Sequence, residues 1–278
     1  MTARIDSHQH FWRYNSQDYP WIDATRESLK VDYMPPDLLP LMQATGIAGT
    51  VAVQARQNLR ETEFLLELAN EYDFIRGVVG WVDMRADDVE AQLERFAAHP
   101  RLVGVRHIVH DEADDRFMLG GNFLRGLAKL KACGLTYDLL LFPRHLPVAI
   151  EVVRRFPEQP FVLDHIAKPF IKDGLLEPWE RDIRQLAAFD NVFCKVSGMV
   201  TEAAWGGWTQ DDFRPYLDVV FDCFGIDRLM FGSDWPVCTL AGSYRQVVGI
   251  VETYIAALSP DEQTRVMGGA ATEFYQLP

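Results

Sequence analysis

The chain has 278 residues, of which 48% are hydrophobic and 24% charged, a composition typical of a folded globular protein and unlike disordered or collagen-like chains. Its 40 acidic and 27 basic residues give a net charge of −13, which argues against binding to nucleic acid or to anionic membranes. The sequence shows no charged leader, no apolar run long enough for a membrane span and no closely spaced cysteines. We therefore expect a soluble cytoplasmic protein with free thiols.

Short β-branched segments alternate along the chain with segments whose apolar residues repeat at helical spacing. Phe64, Leu65 and Leu68 form one helical stripe, and Phe213 and Leu217 belong to another. Eight strands are predicted, at residues 4–10, 50–54, 74–82, 102–109, 135–141, 160–165, 191–197 and 228–233. Several of them are apolar on both faces, as expected where helices cover one face and a packed interior the other. The alternation predicts one domain, residues 1–278, folded as a distorted (β/α)8 TIM barrel.

The longest irregular segments each follow a predicted strand, where a barrel carries its active-site loops. They are residues 11–36, 111–122, 167–179 and 199–211. A doubly wound open sheet is the alternative, but no glycine-rich dinucleotide-binding turn follows the first strand. We therefore expect extended loops at the C-terminal face of a barrel.

His8 and His10 end the first predicted strand and, two residues apart, point to the same face of it. Neutral imidazoles are common zinc ligands, although an isolated pair of this kind is more often two polar residues at a strand end. His165 ends the sixth predicted strand and Asp234 follows the eighth. Since the carboxyl ends of barrel strands meet at one mouth, we expect all four side chains to converge there.

These motifs resemble the amidohydrolase superfamily, and more narrowly its branch of sugar lactonases, which includes hydrolases of L-fuconolactone and L-rhamnonolactone. The resemblance runs nearly end to end. The segments that carry it are His8-Gln9-His10, Asp164-His165, Lys168-Pro169, Gly232-Ser233-Asp234-Trp235-Pro236, residues 104–107, 137–140 and 195–198, and the tail at 268–275. It implies a barrel enzyme that hydrolyses a small sugar lactone.

The match departs from metal-dependent relatives at one strand. Those relatives commonly carry a histidine on strand five, but residues 135–141 contain none, and Arg106-His107 at the end of strand four offers no lysine to bridge two metals. The resemblance therefore implies either a single divalent ion, zinc being the candidate, or metal-independent catalysis. The expected ligands of a single ion are His8, His10 and Asp234, with His165 as an additional candidate.

Lactone hydrolysis needs an activated water, a group that stabilises the oxyanion and a proton for the leaving ring oxygen. We expect Asp234 to accept the proton from water, and His165, Arg106 or the metal to stabilise the oxyanion. His165 is equally compatible with a supporting role, hydrogen-bonded to Asp164. Arg106 and Lys168 are expected to bind substrate hydroxyls or the product carboxylate, their alternative being ordinary surface ion pairs.

Trp12 and Trp235 adjoin the motifs and are expected to form walls of the pocket, although large aromatic residues are more often core. The roles of His107, His110 and His145 stay open, as does the oligomeric state, with a homo-oligomer compatible with the sequence. Three functions are considered: sugar lactone hydrolysis, decarboxylation of an unsaturated carboxylic acid, and carbohydrate binding without catalysis. The missing strand-five histidine disfavours the second, and four converging metal-type ligands disfavour the third.

Overall fold

The computed structural model describes residues 3–278. Its strands are β1 Ile5–Gln9, β2 Gly49–Val53, β3 Ile75–Gly80, β4 Leu102–His107, β5 Thr136–Leu139, β6 Phe161–Leu163, β7 Val192–Val196 and β8 Leu229–Phe231. Its α-helices are α1 Pro35–Thr45, α2 Leu59–Glu71, α3 Val89–Ala97, α4 Gly121–Leu130, α5 Leu146–Arg155, α6 Trp179–Ala187, α7 Met199–Glu202, α8 Gln210–Phe224, α9 Tyr244–Ile255, α10 Pro260–Thr264 and α11 Ala270–Phe274. Short 3-10 helices join several of these elements, and a π-helical turn, Arg265–Gly269, links α10 to α11.

The eight strands pair in parallel in their order along the chain, from β1 to β8. The first and last strands then meet through backbone hydrogen bonds: the amide of His10 donates to the carbonyl of Trp235 (2.7 Å), and that of Asp234 to the carbonyl of His8 (2.8 Å). The predicted (β/α)8 barrel is confirmed; β2 has the predicted length, one residue earlier in the chain, and the other strands are two or three residues shorter than predicted. The closing bonds involve the backbone of the same residues that the sequence singles out for chemistry.

The barrel interior is apolar at the N-terminal ends of the strands. Val51, Val162 and Met230 point inward there and pack against Phe274 and Leu277 of the C-terminal segment, which fills this end of the barrel. The outer faces of the strands pack with the helices in a second, larger apolar cluster. The two clusters leave the C-terminal ends of the strands as the place where polar side chains accumulate.

None of the helices between residues 3 and 278 combines the length and hydrophobicity needed to cross a lipid bilayer. The four cysteines lie apart as free thiols, as predicted.

Two glycines inside helices allow the packing to be tested with a matched pair. A methyl group on Gly126 of α4 would overlap the backbone carbonyl of Met84, whereas one on Gly249 of α9 would meet open space. We expect Gly126→Ala to destabilise the protein by about 1–3 kcal/mol, because the backbone of α4 or of the loop must move. Gly249→Ala should stabilise it by about 0.5–1 kcal/mol through helix propensity. Urea unfolding of both variants checks this, and equal effects would contradict the close approach.

Candidate active site

A cavity of about 520 Å³ opens at the C-terminal ends of the strands. Residues from the irregular segments after β1, β4, β6 and β7 contribute to its walls, among them Trp21, Asp111, Lys168 and Trp205. Three of the residues predicted to carry chemistry, His10, His165 and Asp234, line its inner end. A volume of this size is typical of sites for small organic ligands.

His8, His10, His165 and Asp234 meet at one point, and the carboxylate of Asp234 is its centre. Oδ1 of Asp234 lies 3.2 Å from Nε2 of His10, 3.9 Å from Nε2 of His8 and 3.8 Å from Nε2 of His165. The Nε2 atoms of His8 and His10 are 3.3 Å apart. All four side chains are almost completely buried. The convergence expected from the ends of strands one, six and eight is therefore present in the fold.

A bulge in β1 sets the direction of His8 and of His10, which follows the end of the strand. Between the pairs Asp6–Thr50 and Gln9–Ala52, β1 advances three residues while β2 advances two. The buried carboxylate of Asp6 fixes this irregular segment, since it accepts hydrogen bonds from the amides of His8 (3.2 Å) and Ser233 (2.8 Å). One side chain thus ties the strand that carries His8 to the loop that carries Asp234.

The backbone is strained at His165 and at Asp234, in the segments that follow β6 and β8. His165 and Asp234 have φ angles of 56° and 58°, in the left-handed region that non-glycine residues rarely adopt. The left-handed stretch continues through Lys168 (φ 51°) and is held by a hydrogen bond from the indole of Trp179 to the carbonyl of Ile166 (2.7 Å). Such strain persists where surrounding structure enforces it and is concentrated at functional sites.

The electrostatics of the cluster favour an ionised Asp234 beside neutral rings of His8 and His165. Burial opposes the charge of Asp234, but His165, His10 and His8 outweigh it, so the pKa of Asp234 lies below its ordinary value. Burial lowers the pKa of His165 to about 3 and that of His8 well below the usual range for histidine. Neutral imidazoles with a carboxylate are the protonation states that metal coordination requires.

Beneath His8 lies a fully buried ion network in the barrel interior. Nζ of Lys195 lies 2.5 Å from Asp138 and 3.0 Å from Asp164, and 3.2 Å from Nδ1 of His8. Arg106 donates to the other oxygen of Asp164 (2.9 Å) and also to the backbone carbonyl of Gln54. Two cations and two carboxylates therefore balance in a region almost free of solvent. Nδ1 of His8 faces Lys195, and Nε2 of His8 lies 3.2 Å from a guanidinium nitrogen of Arg106.

The spacing of the ligand atoms fits a single divalent ion. Ligand atoms about 2.0–2.1 Å from a tetrahedral zinc ion lie about 3.3–3.4 Å from one another. The 3.3 Å between His8 and His10 and the 3.2 Å between His10 and Asp234 match this separation, and the 3.9 Å between His8 and Asp234 is longer. In addition, Nδ1 of His10 lies 2.8 Å from the carbonyl of Val53, which can only accept a proton. In a neutral ring, Nε2 of His10 then presents a lone pair to the carboxylate, an arrangement that a shared cation stabilises.

Arg106 and Lys168 both line the cavity, and each already has a carboxylate partner. Lys168 pairs with Glu202 at 2.9 Å, and the two side chains are 14% and 22% exposed. The alternative role considered for His165, a hydrogen bond to Asp164, is not formed: Nδ1 of His165 lies 2.9 Å from Oγ of Ser197, whereas Asp164 pairs with the buried cations.

Trp12 and Trp235, expected at the pocket wall, lie in the core instead. The indole of Trp12 donates to the carbonyl of Val31 (2.9 Å) and packs against Tyr19 and Tyr33. The ring of Trp235 packs edge to face against that of Tyr33, with 5.3 Å between the ring centroids. Sequence adjacency to a motif failed as a guide because the chain turns inward at both positions. Trp21 and Trp205 line the cavity in their place, and only a structure reveals which tryptophans of these loops face it.

The three histidines with open roles divide between core and cavity. His107 points away from the barrel interior, lies 2.7 Å from Glu112 and stacks on Phe117. His145 is buried and accepts from the amide of Phe142. His110 alone among the three lines the cavity, where its buried Nδ1 has no hydrogen-bond partner.

Comparison with known proteins adds to this geometry. A family profile described as Amidohydrolase matches residues 5–277. An L-fucono-1,5-lactonase of Burkholderia multivorans is 45% identical over 286 residues, covering 99% of this chain and 96% of that protein. An L-fucono-1,5-lactonase of Burkholderia ambifaria is 39% identical over 287 residues, covering 100% and 97%. A crystal structure of an amidohydrolase from Burkholderia multivorans with bound zinc is 46% identical and superposes with a TM-score of 0.94, covering 99% of this chain and 100% of that one.

The buried network predicts a stability contrast between two lysines. Lys195→Met removes the cation between two buried carboxylates, and we expect a loss of about 3–5 kcal/mol because Asp138 and Asp164 are left undercompensated. Lys129→Met removes a solvent-exposed partner of Glu90 and should change stability by less than about 0.5 kcal/mol. Chemical denaturation measures both, and similar small losses would mean that the buried charges are not coupled.

Proposed function

Because the chain belongs to the amidohydrolase family, we propose that it hydrolyses a sugar lactone, L-fucono-1,5-lactone or a close structural relative, to the aldonic acid. The observation that carries this proposal is the convergence of three imidazoles and an ionised carboxylate at the inner end of a cavity of small-molecule size. The two lactonases, at 45% and 39% identity over nearly the whole chain, support it. They favour hydrolysis over decarboxylation or simple carbohydrate binding.

The catalytic role falls to Asp234. Its side chain is a carboxylate of lowered pKa, and its position beside three imidazoles allows it to take a proton from a water at the cavity end. The water oxygen bonds to the lactone carbonyl carbon, the bond from that carbon to the ring oxygen breaks, and the ring oxygen leaves as a hydroxyl group. The proton held on Asp234 is then available for that oxygen.

His165 and Arg106 are assigned to the carbonyl oxygen and the substrate. Ser197 beside Nδ1 of His165 fixes the orientation of the ring, so that Nε2 faces the reacting end of the cavity. Donors aimed at a developing oxyanion are typically worth about 2.7–4 kcal/mol each. Arg106 and Lys168 line the same cavity and are assigned to hydroxyl groups of the sugar.

We assign one divalent ion, zinc, to His8, His10 and Asp234. The donor atoms, their spacing and the neutral state of His8 fit such an ion, and a relative of 46% identity contains zinc. When bound there, zinc acidifies a water and polarises a carbonyl group. That chemistry complements Asp234, since a carboxylate of lowered pKa is a weak base.

Replacement of Asp234 tests the catalytic assignment. With L-fucono-1,5-lactone in a weakly buffered pH-indicator assay, Asp234→Asn should lower kcat/KM by about 10²–10⁴-fold, because the amide accepts no proton. Asp218→Asn, at an exposed position of α8, is the matched control and should retain activity. Thermal unfolding should confirm that both variants are folded. Turnover by folded Asp234→Asn at the wild-type rate would remove Asp234 from this role.

Zinc content tests the metal assignment separately from activity. We expect the purified protein to hold one equivalent of zinc by elemental analysis, and His10→Ala to bind it at least about 100-fold more weakly in a chelator competition. His99→Ala is the control, since His99 lies at the surface near Asn70. Chelation should abolish activity and zinc should restore it. Full activity of the zinc-free protein would favour metal-independent hydrolysis.

A further inference from the structure

We propose that Glu202 is a specificity-determining residue that makes the cavity selective for uncharged, polyhydroxylated lactones and lets the carboxylate product leave. The proposal rests on the lactonase function above and concerns which substituents of the lactone ring the cavity accepts. Its basis is the pairing of charges along the cavity wall.

Lys168 and Glu202 form an ion pair inside the cavity. Lys168 follows β6 in the left-handed stretch and Glu202 ends α7 after β7, so two separate loops bring the groups to 2.9 Å. Both side chains line the cavity and are mostly buried, with 14% and 22% exposure. Charges in such a position are only weakly screened by salt, so the state of this pair affects any ligand beside it.

The other permanent cations of the cavity are matched in the same way. Among residues 3–278, the arginines that line it are Arg26, paired with Asp23 at 2.9 Å, and Arg106, paired with Asp164 at 2.9 Å. The cavity wall also carries Asp111 and Asp234, which have no arginine or lysine partner. His110 contributes no charge, because burial lowers its pKa to about 2.

Apart from the divalent ion assigned to the inner end of the cavity, an anionic group that enters would therefore lose water without gaining an unpaired cation. Burying a charge without a partner, or beside a charge of the same sign, raises the free energy of the complex enough to exclude a ligand. Specificity often depends on such unfavourable contacts. A neutral polyol meets no such penalty. The ammonium of Lys168 keeps two further N–H donors, and a carboxylate accepts several hydrogen bonds, so the pair offers both partners that sugar hydroxyl groups need.

The same pairing matters after the reaction. Hydrolysis converts a neutral lactone into a carboxylate, and an unpaired lysine in the cavity would hold that anion. With Glu202 in place, the positive charge of Lys168 is already compensated. Glu202 thus favours entry of the substrate and release of the product by one electrostatic arrangement.

Three lactones that differ only at C6 test the proposal. L-Fucono-1,5-lactone carries a methyl group there, L-galactono-1,5-lactone a hydroxymethyl group, and the galactarolactone of the same ring configuration a carboxylate. We expect the wild-type protein to hydrolyse the first two and to discriminate against the third by about 100-fold or more in kcat/KM. In Glu202→Gln this discrimination should fall by about tenfold, and calorimetric titration should show L-fuconate binding about tenfold more tightly.

Two further variants separate the role of charge from that of shape. Asp23→Asn frees Arg26 at the cavity rim, where the side chains are 37% and 53% exposed, and should leave the discrimination within about twofold because solvent screens the freed charge. Glu202→Gln combined with Lys168→Met removes both charges and should restore both the discrimination and the weak binding of L-fuconate.

The outcomes distinguish this proposal from the function on which it rests. Hydrolysis of the neutral lactones with an unchanged preference and unchanged L-fuconate binding in folded Glu202→Gln would overturn the role of Glu202 and leave the lactonase function standing. A wild-type preference for the carboxylated lactone would do the same. If no lactone is hydrolysed, the lactonase function fails, and unchanged binding of L-fuconate to Glu202→Gln would overturn the proposal independently.

Discussion

The site is organised around the ion pairs that the ammonium group of Lys195 forms with Asp138 and Asp164. This ammonium group lies in the centre of the barrel without solvent contact, between Asp138 and Asp164 and against His8. A buried charge is tolerated only when partners surround it, so the positions of both carboxylates are constrained by this one group. Lys195 and Asp164 in turn contact Nδ1 of His8 and so fix the ring that forms a cluster with His10 and Asp234.

Further polar contacts fix the site at the C-terminal ends of the strands. Asp6 ties the bulged end of β1 to Ser233, and the closing hydrogen bonds of the barrel run through the backbones of His8, His10 and Asp234. The backbone bonds that close the barrel consequently also position the side chains of the site. The left-handed backbone at Asp234 is tolerated because it is fixed on both sides by these bonds.

The sequence predicts the architecture and the converging residues well, because both depend on periodicity. Alternating patterns place His165 and Asp234 at strand ends, and strand ends of a barrel share one mouth. Orientation within loops has no such period, which explains why Trp12 and Trp235 were expected at the cavity and lie in the core. Glu202 gave no signal at all, since it lies in an irregular segment whose single helical turn, α7, is visible only in the fold.

The segment that follows α10 and the π-helical turn completes the polar centre of the barrel. The hydroxyl group of Tyr275 donates to Asp138, 2.9 Å away, and its neighbours cover the apolar end of the barrel interior. Residues that follow all eight strands are therefore part of the support of Asp138 on β5 and of its partner Lys195 on β7. Removal of residues 274–278 would therefore uncover the apolar end of the barrel interior and take away the hydroxyl donor of Asp138, so the polar centre depends on a segment outside the eight strands.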